Sequence, residues 1–443
     1  PGEQPEFGRF SWFAMLFGAG IGIGMLTYST GEPLAHFSNN PDIIRGLVDA
    51  QSAEAVRPAY IYTFLHWGFA AWGTYALVGL AIGYVAYRRN LPLTIRSALA
   101  PLFGLRLSGV WGHLVDIVAV VATILGVAVT MGIGVEQFVM GLARLGVGDW
   151  LLDPDGSSSI AAVILLLLVL VGASTISALS GVGRGIKWLS NLNMGLSFAL
   201  LALFAIVGSA FGGLKLLGVG VWDYLRTLVP NSLTLFDAGG ESGDALVQWQ
   251  LDWSVFYWAW WIALGPYMGM FVARISRGRT IREVTFGMLG FGTAGCALFF
   301  MVFGNYALHL ELSEALSVTT MLQEEGAPQA IIAVVQSLPF SSIVLPLFCL
   351  VCLVFMATTY DSAAYTLALG ATRRLQVGQD PPRWHRLFWA FGIGVLPVTL
   401  MFLDGLTPLQ TASVVVSLPL IAVGVLMAAS LVRSLREDQA EGS

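Results

Sequence analysis

Residues 253–284 read WSVFYWAWWIALGPYMGMFVARISRGRTIREV. From Trp253 to Ile275 the stretch is apolar enough to cross a hydrocarbon core of about 30 Å as a helix. Aromatic rings crowd its first half, Ala263-Leu264-Gly265-Pro266 interrupts its middle, and Arg274, Arg277, Arg279 and Arg282 follow its end. Glycine disfavours continued helix and proline removes a backbone donor, so the middle is expected to unwind. Unwound backbone at that depth must line a polar cavity or lie buried in protein, because lipid cannot satisfy its hydrogen bonds. Trp and Tyr faces attract organic cations, each contact contributing roughly 2 kcal/mol once water is excluded. The combination points to a transporter site for an organic cation, with no carboxylate required.

Composition agrees with a membrane chain. Of 443 residues, 56% are hydrophobic and 11% charged, whereas a soluble domain has about a quarter of its residues charged. The net charge of -5 says little about partners, since the placement of charges matters more than their sum, and nothing supports nucleic-acid binding. Cys296, Cys349 and Cys352 sit in apolar runs and read as packing residues. The five histidines lie far apart along the chain, which argues against a metal cluster. A nucleophile, base and oxyanion constellation is missing, so an enzyme is not expected.

Apolar runs near 10–30, 59–87, 112–138, 158–178, 186–211, 252–275, 284–308, 341–370, 384–403 and 408–432 predict ten transmembrane helices in an all-α integral membrane protein. Loop charges test the count, because Lys and Arg concentrate on the cytoplasmic side. With both termini cytoplasmic, the inner segments hold Arg9, Arg88, Arg89, Arg96, Arg106, Arg184, Lys187, the four arginines from 274 to 282, Arg373, Arg374, Arg383, Arg386, Arg433 and Arg436. The outer segments hold only Arg45, Arg57, Arg144, Lys215 and Arg226. Seventeen against five favours ten spans, since one helix more or fewer would invert every later loop. A multi-pass protein of the cell's inner (plasma) membrane is expected.

Ten spans divide into five plus five, and an odd number per half makes any repeat inverted. The expected organisation is a cytoplasmic segment 1–9, a first repeat 10–212, an external linker 213–251, a second repeat 252–432 and a short cytoplasmic tail 433–443. The first helix of each half is the irregular one: GAGIGIG, Gly18–Gly24, matches the interruption at Gly265-Pro266. Paired interruptions of this kind mark the midplane site of secondary transporters. For Gly79 and Gly83 in the second span, close helix packing is the better reading.

Several motifs carry a family resemblance: FSWFAMLFGAGIGIG from Phe10, TGEPLAHF from Thr30, FLHWG from Phe64, IKWLSNLNM from Ile186, FYWAWW from Phe256 and ARISRGRTIRE from Ala273. The chain resembles the betaine/choline/carnitine transporters over nearly all of residues 10–430. The resemblance implies a leucine-transporter-like fold, a five-plus-five inverted repeat. Members usually carry two further helices ahead of the glycine-broken one; these are missing here, by truncation or because the protein is a minimal version. A homotrimer is the assembly that the resemblance brings. The tail after Leu431 is short and mixed in charge, so strong intrinsic osmosensing is not expected.

In this family an onium group sits in an aromatic box, and the matching positions are Trp67, Trp72, Tyr75 and Trp261. On one helix the first three fall within a sector of about 140°. Trp258 shares a side with Trp261, whereas Trp260 points elsewhere, to an outer gate or to packing. Many relatives place another tryptophan where this chain has Leu264, so the pocket is expected to be wider there. Backbone at Ala19, Gly20, Ile21, Gly22, Gly24 and Met25 would face the polar end of the substrate. The expected cargo is a glycine betaine-like compatible solute, with choline, carnitine or dimethylsulfoniopropionate as the other onium candidates.

FMATTYDS supplies Thr358 and Thr359 for a sodium ion as coupling partner, joined by backbone at Gly18, Ile21 and Phe355 as in sodium-coupled relatives. Helical Thr also bonds its own preceding turn. Proton-coupled choline relatives carry Asp at the place of Gly24, and sodium-independent exchangers put a basic side chain from the fifth span into the ion site; Met194 to Gly208 has none. Sodium symport is favoured, with sodium-independent onium exchange as the alternative and a ligand-gated channel or receptor behind it. Thr123 is a candidate for a second sodium site. A carboxylate inside a span is expensive, and Asp361 is expected to pair with a cytoplasmic-side arginine in an inner gate.

Overall fold

The computed structural model describes all residues except 1–2, 21, 105–106, 108, 181–184, 208–209, 373–374, 376–378, 402–405 and 442–443. Ile21 and the loop arginines Arg106, Arg184, Arg373 and Arg374 therefore lie outside the described residues. Among those described the chain is helical without a strand, apart from an isolated antiparallel bridge between Leu152 and Ser158. The long helices are α1 (Arg9–Gly20), α2 (Gly22–Ser38), α3 (Val56–Trp67), α4 (Phe69–Arg89), α5 (Val110–Arg144), α6 (Ile160–Ser180) and α7 (Gly185–Val207). They continue as α8 (Ala210–Leu233), α9 (Phe256–Ile275), α10 (Thr293–Leu312), α11 (Ser341–Ala371), α12 (Arg383–Met401) and α13 (Leu406–Glu441).

Among the described residues, eight helical stretches are long and apolar enough to cross a membrane, and the bent pair α1–α2, turning through 67°, makes nine if it is one span. The helix α12 occupies the segment read as the ninth of ten spans. Gly22 sits at φ 52°, a left-handed conformation that side chains resist, and begins α2 at the break.

Three expectations about regularity change. Residues 256–275 form one continuous helix through Gly265-Pro266, so α9 is not broken where the sequence placed the interruption. Close packing explains why: a Cβ on Gly269 would lie 2.2 Å from Val78 of α4, and one on Gly79 would lie 2.7 Å from Val272 of α9. Small residues on both helices let the backbones approach, and that contact holds the proline-bearing segment helical. The second span, by contrast, breaks at Gly68, between α3 and α4. A Cβ there would meet the Tyr224 hydroxyl at 2.4 Å, and that hydroxyl accepts the Phe69 N–H at 2.8 Å. The linker 213–251 is largely helical, formed by α8 and a shorter helix, Gly240–Gln250.

The break-bearing α1 and α2 pack against α7, α10, α3 and α11, while α9 packs against α4, α5 and α13. Long apolar faces on α5, α6 and α13 stay exposed, including Ile117, Leu168, Val415 and Val425, as expected of surfaces that meet lipid.

Candidate functional site

The glycine break and the aromatic stretch come together at the centre. Trp67 and Trp261 meet with ring centroids 5.0 Å apart at 74°, and Trp260 stacks on Trp261 at 4.8 Å and 17°. Tyr75 approaches Trp261 at 6.2 Å, and Trp72 approaches Tyr75 at 6.3 Å, both edge to face. Each of these rings is at most 1% exposed.

Every indole N–H in the cluster is anchored. Trp67 Nε1 donates to Glu32 Oε2 at 2.5 Å, Trp261 Nε1 to the His66 carbonyl at 2.9 Å, Trp260 Nε1 to the Gly126 carbonyl at 3.2 Å, and Trp72 Nε1 to Cys296 Sγ at 3.5 Å. With their polar edges held, the rings are fixed in orientation and their faces serve as contact surface. The Tyr75 hydroxyl is buried and has no hydrogen-bond partner among the described residues. Such a group favours a ligand oxygen or a water beside it.

Two glycines of the break face this cluster. A Cβ on Gly24 would lie 3.0 Å from Trp260 and 3.6 Å from Trp67, and one on Gly20 would lie 3.7 Å from Trp72. Their neighbours turn elsewhere: the Ala19 carbonyl accepts the Tyr267 hydroxyl at 3.1 Å, and Gly22 lies against Thr359. Met25 is fully buried in the surrounding core.

The helix-face reasoning misjudged the stretch in two places. Trp260, expected to point away, is a central member of the ring cluster, whereas Trp258 is only partly buried, joins none of these ring contacts and leaves its indole N–H unpaired. Leu264 turns toward α5, where a Cβ on Gly126 would meet it at 3.0 Å. Trp67 also reaches the cluster from a different helix than Trp72 and Tyr75, because Gly68 separates them.

On the other side of the break, Thr359 Oγ1 lies 3.4 Å from the Gly18 carbonyl. That is long for a hydroxyl hydrogen bond and suits two oxygens that share a cation. Thr358 Oγ1 bonds its own helix at the Val354 carbonyl, 2.7 Å away, and Phe355 is buried beside it. Thr123 likewise bonds its own helix, at Ala119. Asn193 of α7, not singled out from the sequence, lies next to Gly18 with its Nδ2 unpartnered and buried. Asp361 is buried and meets Arg386 at 3.3 Å, Ser174 at 3.3 Å and Ser177. A second charged cluster joins Arg274 to Glu6 at 2.7 Å and to Asp380 at 3.4 Å, with the Tyr365 hydroxyl on Asp380 at 2.8 Å.

The residue most missed by sequence reasoning is Glu32, quoted only as part of TGEPLAHF. Its Oε2 accepts from Trp67 and from the Tyr257 hydroxyl, at 2.6 Å for the latter. Its Oε1 meets His36 Nε2 at 3.2 Å and His66 Nδ1 at 2.7 Å. The histidines that looked scattered are thus partly gathered: His36 and His66 have ring centroids 5.5 Å apart, contrary to the expectation of no cluster. The available signal was a carboxylate inside an apolar span, the criterion that had been applied to Asp361.

A family model described as the betaine/carnitine/choline family of transporters matches residues 1–440. The chain belongs to this transporter family. Among its relatives, the high-affinity choline transport protein of Escherichia coli strain K12 is 38% identical over 439 residues, covering 98% of this chain and 62% of that protein. An osmo-dependent choline transporter of Acinetobacter baylyi is 38% identical over 445 residues, covering 100% and 62% respectively. A glycine betaine transporter of Bacillus subtilis is 34% identical over 442 residues, covering 100% of this chain and 82% of that one. This family member therefore spans 62% of the length of the E. coli relative it matches. A solved structure, the substrate-bound outward-open state of a Na+-coupled sialic acid symporter, aligns with TM-score 0.56 at 11% identity, over 94% of this chain and 78% of that one. The likeness establishes the fold of the betaine/carnitine/choline family member as that of the symporter; its relatives bear the names of transporters, not of enzymes.

Proposed function

We propose that this chain carries out secondary active uptake of a quaternary ammonium compound, coupled to sodium. The observation that carries the reading is the closure of Trp67, Trp72, Tyr75, Trp260 and Trp261 around the Gly20 and Gly24 backbone. Desolvated rings favour a trimethylammonium head by roughly 2 kcal/mol per contact, and the unpartnered Tyr75 hydroxyl offers a donor to its polar end. Choline and glycine betaine, named for the relatives, both fit that description.

Ten spans in a five-plus-five inverted repeat, both termini cytoplasmic, are the architecture we assign, with α12 as the ninth span. Residues 10–212 and 252–432 are the repeats in that assignment, between the end segments 1–9 and 433–443. Gly18 and Thr359 form the core of the sodium site, with Asn193 beside them; Thr358 and Phe355 support it from α11. Inward movement of one charge at about 100 mV supplies roughly 2.3 kcal/mol, enough for about a 50-fold gradient. Asp361 with Arg386, and Arg274 with Glu6 and Asp380, are assigned to closing the inner side.

Uptake of radiolabelled choline and glycine betaine into proteoliposomes tests the reading, with sodium or potassium outside and a negative interior potential. Accumulation that requires sodium, and that is lost in Thr359→Ala, is expected. Uptake that ignores sodium but requires preloaded substrate overturns the symport assignment in favour of exchange.

A further inference from the structure

We propose that Glu32, His36 and His66 form a binding site for a divalent transition-metal ion, with Zn2+ the ion their chemistry suits best, set behind the aromatic cluster and separate from the sodium site. Two imidazoles and a carboxylate make up the donor set, and all three side chains are fully buried. Such His2Glu sets hold zinc with a fourth position left for water.

The spacing fits. The three ligand atoms lie within 4.8 Å of one another, with Glu32 Oε1 at 3.2 Å from His36 Nε2 and 2.7 Å from His66 Nδ1. With metal–ligand bonds of about 2.0–2.2 Å, tetrahedral donors stand roughly 3.3 Å apart. Entry of an ion therefore asks Glu32 and His66 to part by about 0.6 Å and the two imidazole nitrogens, at most 4.8 Å apart, to close by up to about 1.5 Å.

The surroundings already position the ligands. His66 Nε2 is 3.1 Å from Ser254 Oγ, a hydroxyl that can donate or accept. When His66 Nδ1 gives up its proton to bind metal, the hydroxyl turns to accept from Nε2–H, which fixes the metal-binding tautomer. Glu32 Oε2 stays on Trp67 and Tyr257, so the carboxylate is held whether or not Oε1 binds an ion. His36 is clasped between aromatic rings, with Trp253 at 4.5 Å and Trp249 at 5.5 Å.

A small cavity lined by Arg45, Tyr62, Trp249 and Ser254 comes within one hydrogen bond of His66. Its volume of about 30 Å³ admits a water or a bare ion and not an onium compound. Two added positive charges behind Trp67 would oppose a cation on the other side of that ring. The consequence is reversible inhibition of onium uptake by Zn2+.

The test is thermal melting of the purified full chain with Zn2+ alone, without any transported substrate, read beside uptake in proteoliposomes. A chelator-reversible rise in melting temperature that is lost in His36→Gln is expected, together with zinc inhibition of uptake that the same variant escapes. No shift in the wild-type chain, or an equal shift in His36→Gln, overturns the proposal by placing the ion elsewhere or nowhere. Should the glutamine variant fail to purify, His36→Cys decides the matter through ligand softness. A preference moved from Zn2+ toward Cd2+ upholds the site, and an unchanged order of the two ions overturns it.

Discussion

Trp261 contacts Trp67, Tyr75, Tyr257 and Trp260, more rings of the cluster than Trp72 reaches, so its removal should be felt most. Trp261→Ala forfeits roughly 2 kcal/mol of cation binding, which is about 30-fold in affinity. Intrinsic fluorescence titration with choline or glycine betaine reads that loss, and a change under about threefold would remove Trp261 from the site. Glu32→Gln tests the positioning of the rings instead. The amide oxygen can still accept from Trp67 and Tyr257, but neutral hydrogen bonds there are roughly half as strong as the charge-assisted ones that the carboxylate accepts. We expect a lower melting temperature, together with weaker onium binding although Glu32 stands behind Trp67. Trp67 and Trp261 were legible because the FLHWG and FYWAWW motifs carry them by resemblance, and Trp72 and Tyr75 because the resemblance continues along the second span beyond FLHWG. Glu32 and His66 were not, since 34 positions separate them and only the packing of α2 on α3 joins them. The exchange of Trp258 for Trp260 shows the limit of counting faces, as the orientation of α9 is set by α4 and α5.

Among the helices, the α4–α9 contact is the tightest test of how glycine is used. Gly269→Ala would set a Cβ 2.2 Å from Val78 Cγ1 and 2.7 Å from Val78 Cβ, so the helices must part. Overpacking of this kind costs typically about 1–3 kcal/mol. We expect a lower melting temperature, partly restored by adding Val78→Ala, which removes the closer contact and leaves the second. Additive losses in the double variant would show that the two residues do not meet. Apolar run length placed the long helices other than α8, which falls in the segment read as a linker, because the requirement to span a bilayer leaves a strong mark on sequence. Glycine and proline were harder to read: the same residues that unwind a chain also let helices touch. Gly22 unwinds, with Thr359 against it; Gly269 packs, with Val78 against it; and Gly68 breaks a span that looked uniform, because Tyr224 from the supposed linker caps the break.

For the molecule as a whole, the buried pair Asp361–Arg386 ties α11 to α12 and, through Ser174 and Ser177, to α6. Arg386→Met leaves a buried carboxylate without its cation, a loss of roughly 3–5 kcal/mol. Adding Asp361→Asn should recover part of it, as read by melting temperature. Uptake by the double variant then reports on gating apart from stability: faster substrate exchange is expected if the pair helps to close the inner side. Composition and hydropathy by themselves determined a helical membrane protein, since a chain with so few charges cannot cover a soluble surface. Motif order determined the family and most of the aromatic cluster. Tertiary structure decided which glycines bend and which pack, that Trp260 and not Trp258 joins the cluster, and that Glu32 gathers Trp67, Tyr257, His36 and His66. Those outcomes depend on what the neighbouring helix presents across the contact, and periodicity along one strand of sequence carries no record of the neighbour.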